Sequence, residues 1–292
     1  MPTKQLWSNL AAVTAAILFG ASLVAVRAAV RDVPPFTLAF LRFAQASLLL
    51  GAFLLLRDRA IPRVATRDLG YLALLGVIFY TIFPIAFTTS LRYIPASRGA
   101  LLLASMPLWA LLLARLVTRD KPTASEIVGA LATIGGIALV FGRAAATAAG
   151  PHQMLGDALM LVTAVSGAVY NVMVKPMLAR YPATTVTLYA MAIGTMLIAP
   201  IAWTAEGMPL PAASNAPLLW LLVFIGVAAA IAFSLWTFAL RRVSATRAAV
   251  YLNLNPTFAV ILSALLLHER LTPAFAVGFA MVVAGVFIAN RA

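Results

Sequence analysis

Residues 100–113 read ALLLASMPLWALLL, fourteen positions with no charge and no alternation of polar with apolar side chains. A strand of a membrane barrel alternates lipid-facing and lumen-facing side chains in runs of about ten residues, so this stretch is not barrel strand. Extended outward, the apolar run covers about 97–117, the roughly 20 residues that a helix needs to cross about 30 Å of hydrocarbon. In lipid every backbone N–H and C=O must be satisfied internally, and within one segment only a helix does this. The same criterion picks out nine more runs, near 9–30, 36–56, 69–90, 125–142, 155–175, 184–204, 217–239, 246–267 and 272–290. The expected fold is an all-α membrane protein with ten transmembrane helices.

Composition agrees. Of 292 residues 63% are hydrophobic and 10% charged, with mean hydropathy +1.01. Soluble domains carry about 25% charge, and disordered chains need low hydrophobicity, so both classes are excluded. The net charge of +13 would suggest nucleic acid in a soluble protein. Its distribution argues otherwise. With the N-terminus inside, inner segments hold 14 of the 21 basic residues and outer segments six, while Arg42 lies within the second span. That asymmetry is the positive-inside signature, so both termini are expected to be cytoplasmic and no nucleic-acid partner is called for. The first span, with an apolar run from Leu10 to Val26, is too long for a signal-peptide core and is read as a retained helix. The longest connection, around Arg143–Met154, leaves no room for a soluble domain. With no Cys and only His152 and His268, no metal centre or other cofactor is expected.

The chain repeats itself. Shifted by 149 positions, Leu91–Gly142 aligns without gaps on Leu240–Arg291 with 14 identities in 52 pairs, among them Pro107/Pro256, Gly129/Gly278 and Gly136/Gly285. The units run roughly 1–143 and 150–292. Five spans each is an odd number, so the second unit must enter the membrane from the side opposite to the first. Inverted five-helix repeats recur in transporters, with the binding site near the midplane between repeats. Channels and scaffolds are also built by duplication.

Ala239-Leu240, Ala245-Thr246-Arg247, Asn255-Pro256, Glu269, Leu271-Thr272, Gly278 and Gly285 follow one pattern, joined by Phe19-Gly20-Ala21-Ser22 and Leu41-Arg42-Phe43 near the start. This pattern resembles the drug/metabolite transporter superfamily, specifically its EamA-type ten-helix exporters, over essentially the whole chain, and within them the YddG-type aromatic amino acid exporters. The first half departs from it with Met106 and Asp120 in place of Asn255 and Glu269. The resemblance implies export of small metabolites across the cytoplasmic membrane, best suited to hydrophobic or aromatic amino acids, with drugs, nucleotide-sugars or lipid-linked molecules as the alternative cargo; a monomer in membrane lipid is the expected form.

Polar groups deep in apolar spans are costly and mark candidate substrate contacts: Ser22, Arg42, Tyr80, Ser105, Asn171, Tyr251, Asn253 and Asn255, with Trp109 beside them. For the Asn residues interhelical hydrogen bonding is an equal reading. Arg42 has three: pairing with a substrate carboxylate, bonding to backbone carbonyls, or snorkelling to the headgroups. Phe79, Phe83 and Trp236 join Tyr80 and Trp109 as walls of an amphipathic pocket or as lipid-facing bulk. Pro84, Pro107 and Pro256 fall mid-span, where each removes a backbone donor and kinks its helix, a natural hinge. Gly20, Gly129, Gly136, Gly278 and Gly285 are assigned to close helix packing. No acid occupies the middle of a span, since Glu126 and Asp157 lie near span starts and the rest in loops. A carboxylate proton relay is therefore not expected, which favours facilitated diffusion or exchange. Neither His-Glu-x-x-His nor an intramembrane carboxylate pair occurs, so an enzyme is not expected.

Overall fold

The computed structural model describes residues 2–118, 123–146, 152–212, 214–240, 245–269 and 271–289, and among them it is all helix and connections. The helices are α1 (Pro2–Ala29), α2 (Pro35–Asp58), α3 (Thr66–Val77), a π-helical turn (Ile78–Ile82), α4 (Phe83–Tyr93), α5 (Ala96–Leu103), α6 (Met106–Thr118), α7 (Ala124–Ala146), α8 (Gln153–Met173), α9 (Lys175–Arg180), α10 (Ala183–Glu206), α11 (Ala216–Leu240), α12 (Ala245–Leu266) and α13 (Pro273–Ala289). Seven stretches are long and apolar enough to cross a membrane: Leu6–Ala29, Pro35–Asp58, Thr66–Tyr93, Ala96–Leu113, Gln153–Arg180, Ala183–Glu206 and Ala216–Leu240. Ala124–Leu139, Leu254–Leu266 and Pro273–Ile288 are shorter apolar helices. Large apolar side chains such as Leu48, Met196 and Trp220 face outward, as they must when lipid is the solvent.

Helix ends follow local chemistry. Pro34 and Pro182, in extended backbone, precede α2 and α10, and Pro35 occupies a first-turn position where a missing N–H costs nothing. Both α2 and α10 stop on a left-handed residue, Arg59 at φ 53° and Gly207 at φ 70°.

Two of the expected single spans are interrupted. Before Pro84 the chain widens into the π turn, and before Pro107 the helix breaks at Ala104–Ser105. Each proline leaves a carbonyl without its usual donor, and the chain either re-registers around it or accepts a side-chain donor. Beside the break the Ser105 hydroxyl donates to the Leu102 carbonyl at 2.6 Å, which also accepts from the Ser105 N–H at 3.1 Å. Pro256, the repeat partner of Pro107, sits inside an unbroken α12.

α1 packs on α11 and α12, while α8 packs on α4, α5 and α6. α2 lies against α10 and α11, and α7 against α13. Glycine permits the closest approaches. A Cβ on Gly20 would lie 2.8 Å from the Asn255 carbonyl oxygen, so α1 and α12 touch backbone to backbone. Between α7 and α13 the contacts are reciprocal: a Cβ on Gly136 would lie 2.5 Å from the Gly278 oxygen, and one on Gly285 2.6 Å from the Gly129 oxygen.

Polar ties gather at the helix ends. At one end the Glu206 carboxylate accepts from the N–H groups of Phe36 and Thr37 at 3.0 and 2.7 Å and from the Thr37 hydroxyl at 2.9 Å. There too Glu269 accepts from the N–H groups of Ala96 and Ser97 at 2.8 and 2.9 Å, Arg98 donates twice to Asp157, and Arg27 donates to the Leu91 carbonyl. At the opposite end Arg180 and the Tyr181 hydroxyl donate to Asp68 at 2.9 and 2.7 Å, and the Tyr71 hydroxyl donates to the Met173 carbonyl.

Candidate functional site

Where α1, α2, α4, α8, α11 and α12 converge, a cavity is walled by Phe19, Leu23, Phe79, Phe83, Phe87, Leu103, Met106, Phe233 and Trp236. Three polar residues enter it: Arg42, Asn171 and Asn255. Its volume is about 50 Å³, room for a few waters, since one needs about 10–15 Å³.

Arg42 is 3% exposed. Its guanidinium carbon lies 5.2, 5.4 and 5.8 Å from the ring centroids of Phe43, Phe87 and Phe233, within cation–π range of all three. Its Nε and Nη1 are buried with no hydrogen-bond partner. Of the three readings open from sequence, snorkelling is overturned by this burial, and for these two nitrogens carbonyl bonding is overturned too. The α2 backbone places residue 42 on the buried face with Leu38, Ala39, Phe43 and Ala46, where a long side chain can only reach inward.

Asn171 is held in place: its Oδ1 accepts from Trp236 Nε1 at 3.2 Å, and its Nδ2 faces Met106 Sδ at 3.8 Å. Asn255 Oδ1 is buried without a partner. A donor fork and an unanswered acceptor thus line one largely apolar chamber.

Of the other expected residues, those whose side chains are described stand outside the lining. Tyr80 is fully buried behind it, its ring 5.6 Å from Phe43 and from Phe233 and 5.9 Å from Tyr170, with no partner for its hydroxyl. Ser105 spends its hydroxyl on the helix break and accepts from Trp109 Nε1 at 3.1 Å, so this pair serves backbone geometry. Ser22 Oγ is buried and unpartnered. The side chains of Tyr251 and Asn253 lie outside the described residues. Sequence reasoning missed Phe19, Leu23, Phe87, Leu103 and Phe233, which carry no signal in helices that are apolar all round. Among the described residues no cluster of His, Cys, Asp or Glu could hold a metal.

A membrane-embedded helical bundle enclosing a mixed polar and aromatic chamber, with no metal cluster among the described residues, has the build of a small-molecule transporter. The sequence pattern of the EamA-like transporter family matches twice, over residues 6–142 and 154–291, and the chain belongs to that family. It is 26% identical over 277 residues to an uncharacterized transporter of Archaeoglobus fulgidus, covering 93% of both chains. It is 31% identical over 235 residues to a probable terminal-alkyne amino-acid exporter of Streptantibioticus cattleyicolor, covering 79% of this chain and 76% of that one. A crystal structure with 21% identity superposes with a TM-score of 0.70 over 97% of each chain, a likeness of fold. The protein is a multi-pass membrane protein.

Proposed function

We propose that this transporter exports hydrophobic or aromatic amino acids by alternating access between two inverted five-helix halves, 1–143 and 150–292, with ten spans and both termini cytoplasmic. The observation that carries the substrate class is Arg42: a guanidinium held among three rings, with two donors unanswered, calls for a carboxylate on a molecule with an apolar or aromatic body. Asn255 Oδ1 is the acceptor for its ammonium. The similarity to a probable amino-acid exporter supports the same class. The inverted halves are supported by the two family matches and by the exchange of partners, in which each half's first helix packs on the third and fourth helical spans of the other. A cavity of about 50 Å³ cannot hold an amino acid, so the rings must part as the halves rock, with Pro84, Pro107 and Pro256 as hinges. Transport needs no carboxylate relay on this reading, since Asp157, the most buried acid among the described residues, is held from two sides by Arg98.

The test is thermal stabilisation of the purified protein by each amino acid, followed by counterflow in liposomes. Phenylalanine should raise the melting temperature, whereas phenylalanine amide, which lacks the carboxylate, should not. Equal stabilisation by both would sink the assignment of Arg42. Current through single open pores in place of saturable flux would identify a channel instead.

A further inference from the structure

We infer that Asp58 and Glu206 are matched latches that close opposite ends of this carrier in turn. This rests on the inverted-repeat reading above. Helices α2 and α10 are both 24 residues long, both follow a proline, and both end at a left-handed residue. A shift of 148 positions (182 minus 34, 206 minus 58), one short of the 149 that relates the later segments of the two halves, places Pro34 on Pro182, Thr37 on Thr185 and Asp58 on Glu206. At one end the parts are engaged: Glu206 accepts from the Phe36 and Thr37 N–H groups and the Thr37 hydroxyl. At the other end the same parts stand apart. The Thr185 hydroxyl is fully buried and has no partner. Asp58 leans instead on its neighbour Arg57 at 3.3 Å, 40% exposed. A cavity of about 230 Å³, lined by Asp58, Pro182, Thr184 and Thr185, separates them.

A buried hydroxyl at a bare helix N-terminus wants an anion, and the chain supplies one across a gap. When the halves exchange conformations, Asp58 closes on the Thr184 and Thr185 N–H groups and the Thr185 hydroxyl while Glu206 lets go of α2. The structure is then the state with the outer end latched and the inner end released.

The chain has no cysteine, so single-cysteine variants report each end cleanly. Phe36→Cys and Thr184→Cys occupy equivalent places, and maleimide labelling of each is followed in nanodiscs, where both faces are accessible. Glu206→Gln should speed labelling of Phe36→Cys about tenfold and slow Thr184→Cys by a similar factor, as expected when a charge-assisted contact is removed from one of two exchanging states. Asp58→Asn should do the reverse. Thr37→Val and Thr185→Val, which keep shape and charge, should follow Glu206→Gln and Asp58→Asn with smaller effects, and unchanged melting temperatures show that each variant is folded. Labelling that changes only at the mutated end would overturn the latch. Reciprocal labelling without amino acid flux would leave the latch standing and remove the substrate reading, and flux with one-sided labelling would do the opposite.

Discussion

A guanidinium with two idle donors among aromatic rings destabilises the protein that carries it, because burying a charge without full hydrogen bonding is costly. Arg42 therefore makes two opposite predictions. Arg42→Met, matched in length and apolar, should leave melting temperature unchanged or raised, while weakening binding of carboxylate-bearing substrates tenfold or more, the effect of losing about 1.5–3 kcal/mol of charged hydrogen bonding. Arg42→Lys keeps charge but not the planar fork, and should recover only part of the affinity. Calorimetric titration beside thermal melting checks both, and a Met variant that binds normally would remove Arg42 from the site. Arg42, Asn171 and Asn255 were legible in the sequence because polarity inside an apolar run is conspicuous. Phe19, Phe87 and Phe233 were not, because nothing in an apolar helix distinguishes a ring facing a cavity from one facing lipid. Ser105 and Trp109 were legible as polar midspan residues, and the structure places them beside a helix break and bonded to each other, since sequence shows a hydroxyl but not what it is bonded to.

Among elements, the apolar runs anticipated where helices lie, because hydropathy reads the hydrocarbon directly. The π turn and the break before Pro107 escaped that reading, since they are matters of hydrogen-bond register to which hydropathy is blind. Proline gave warning without deciding the outcome: Pro107 follows a break and Pro256 interrupts nothing. The α7/α13 seam is sharper. Gly136→Ala must push against the Gly278 carbonyl, and a clear drop in melting temperature is expected. Gly70→Ala on α3, with open space around the new methyl, should instead be neutral or stabilising by about 0.5–1 kcal/mol. A second element-level test concerns the Arg98–Asp157 pair, with side chains 9% and 2% exposed. Asp157→Ala leaves a buried cation and should cost about 3–5 kcal/mol, read as a large fall in melting temperature, whereas Asp157→Glu should retain most of the stability.

At the scale of the whole molecule, the scarce acids hold the ends together. Sequence alone placed Glu206, Glu269 and Asp157 near loops and gave them no task, because their partners, the N-termini of α2 and α5 and the Arg98 side chain, are 59 to 173 residues away. A short bis-maleimide joining Thr37→Cys to Glu206→Cys should hold that end shut and abolish counterflow, with binding retained from the opposite side. Undiminished flux in the tethered protein would show that this end does not open. The glycine seam carries one more consequence. Since Gly136 meets Gly278 and Gly285 meets Gly129, and each pair maps onto the other under the repeat shift of 149, the surface on α7 is its own complement. The two halves, made as separate polypeptides, should therefore find each other through this seam and reassemble into a working carrier, read as counterflow restored on co-expression.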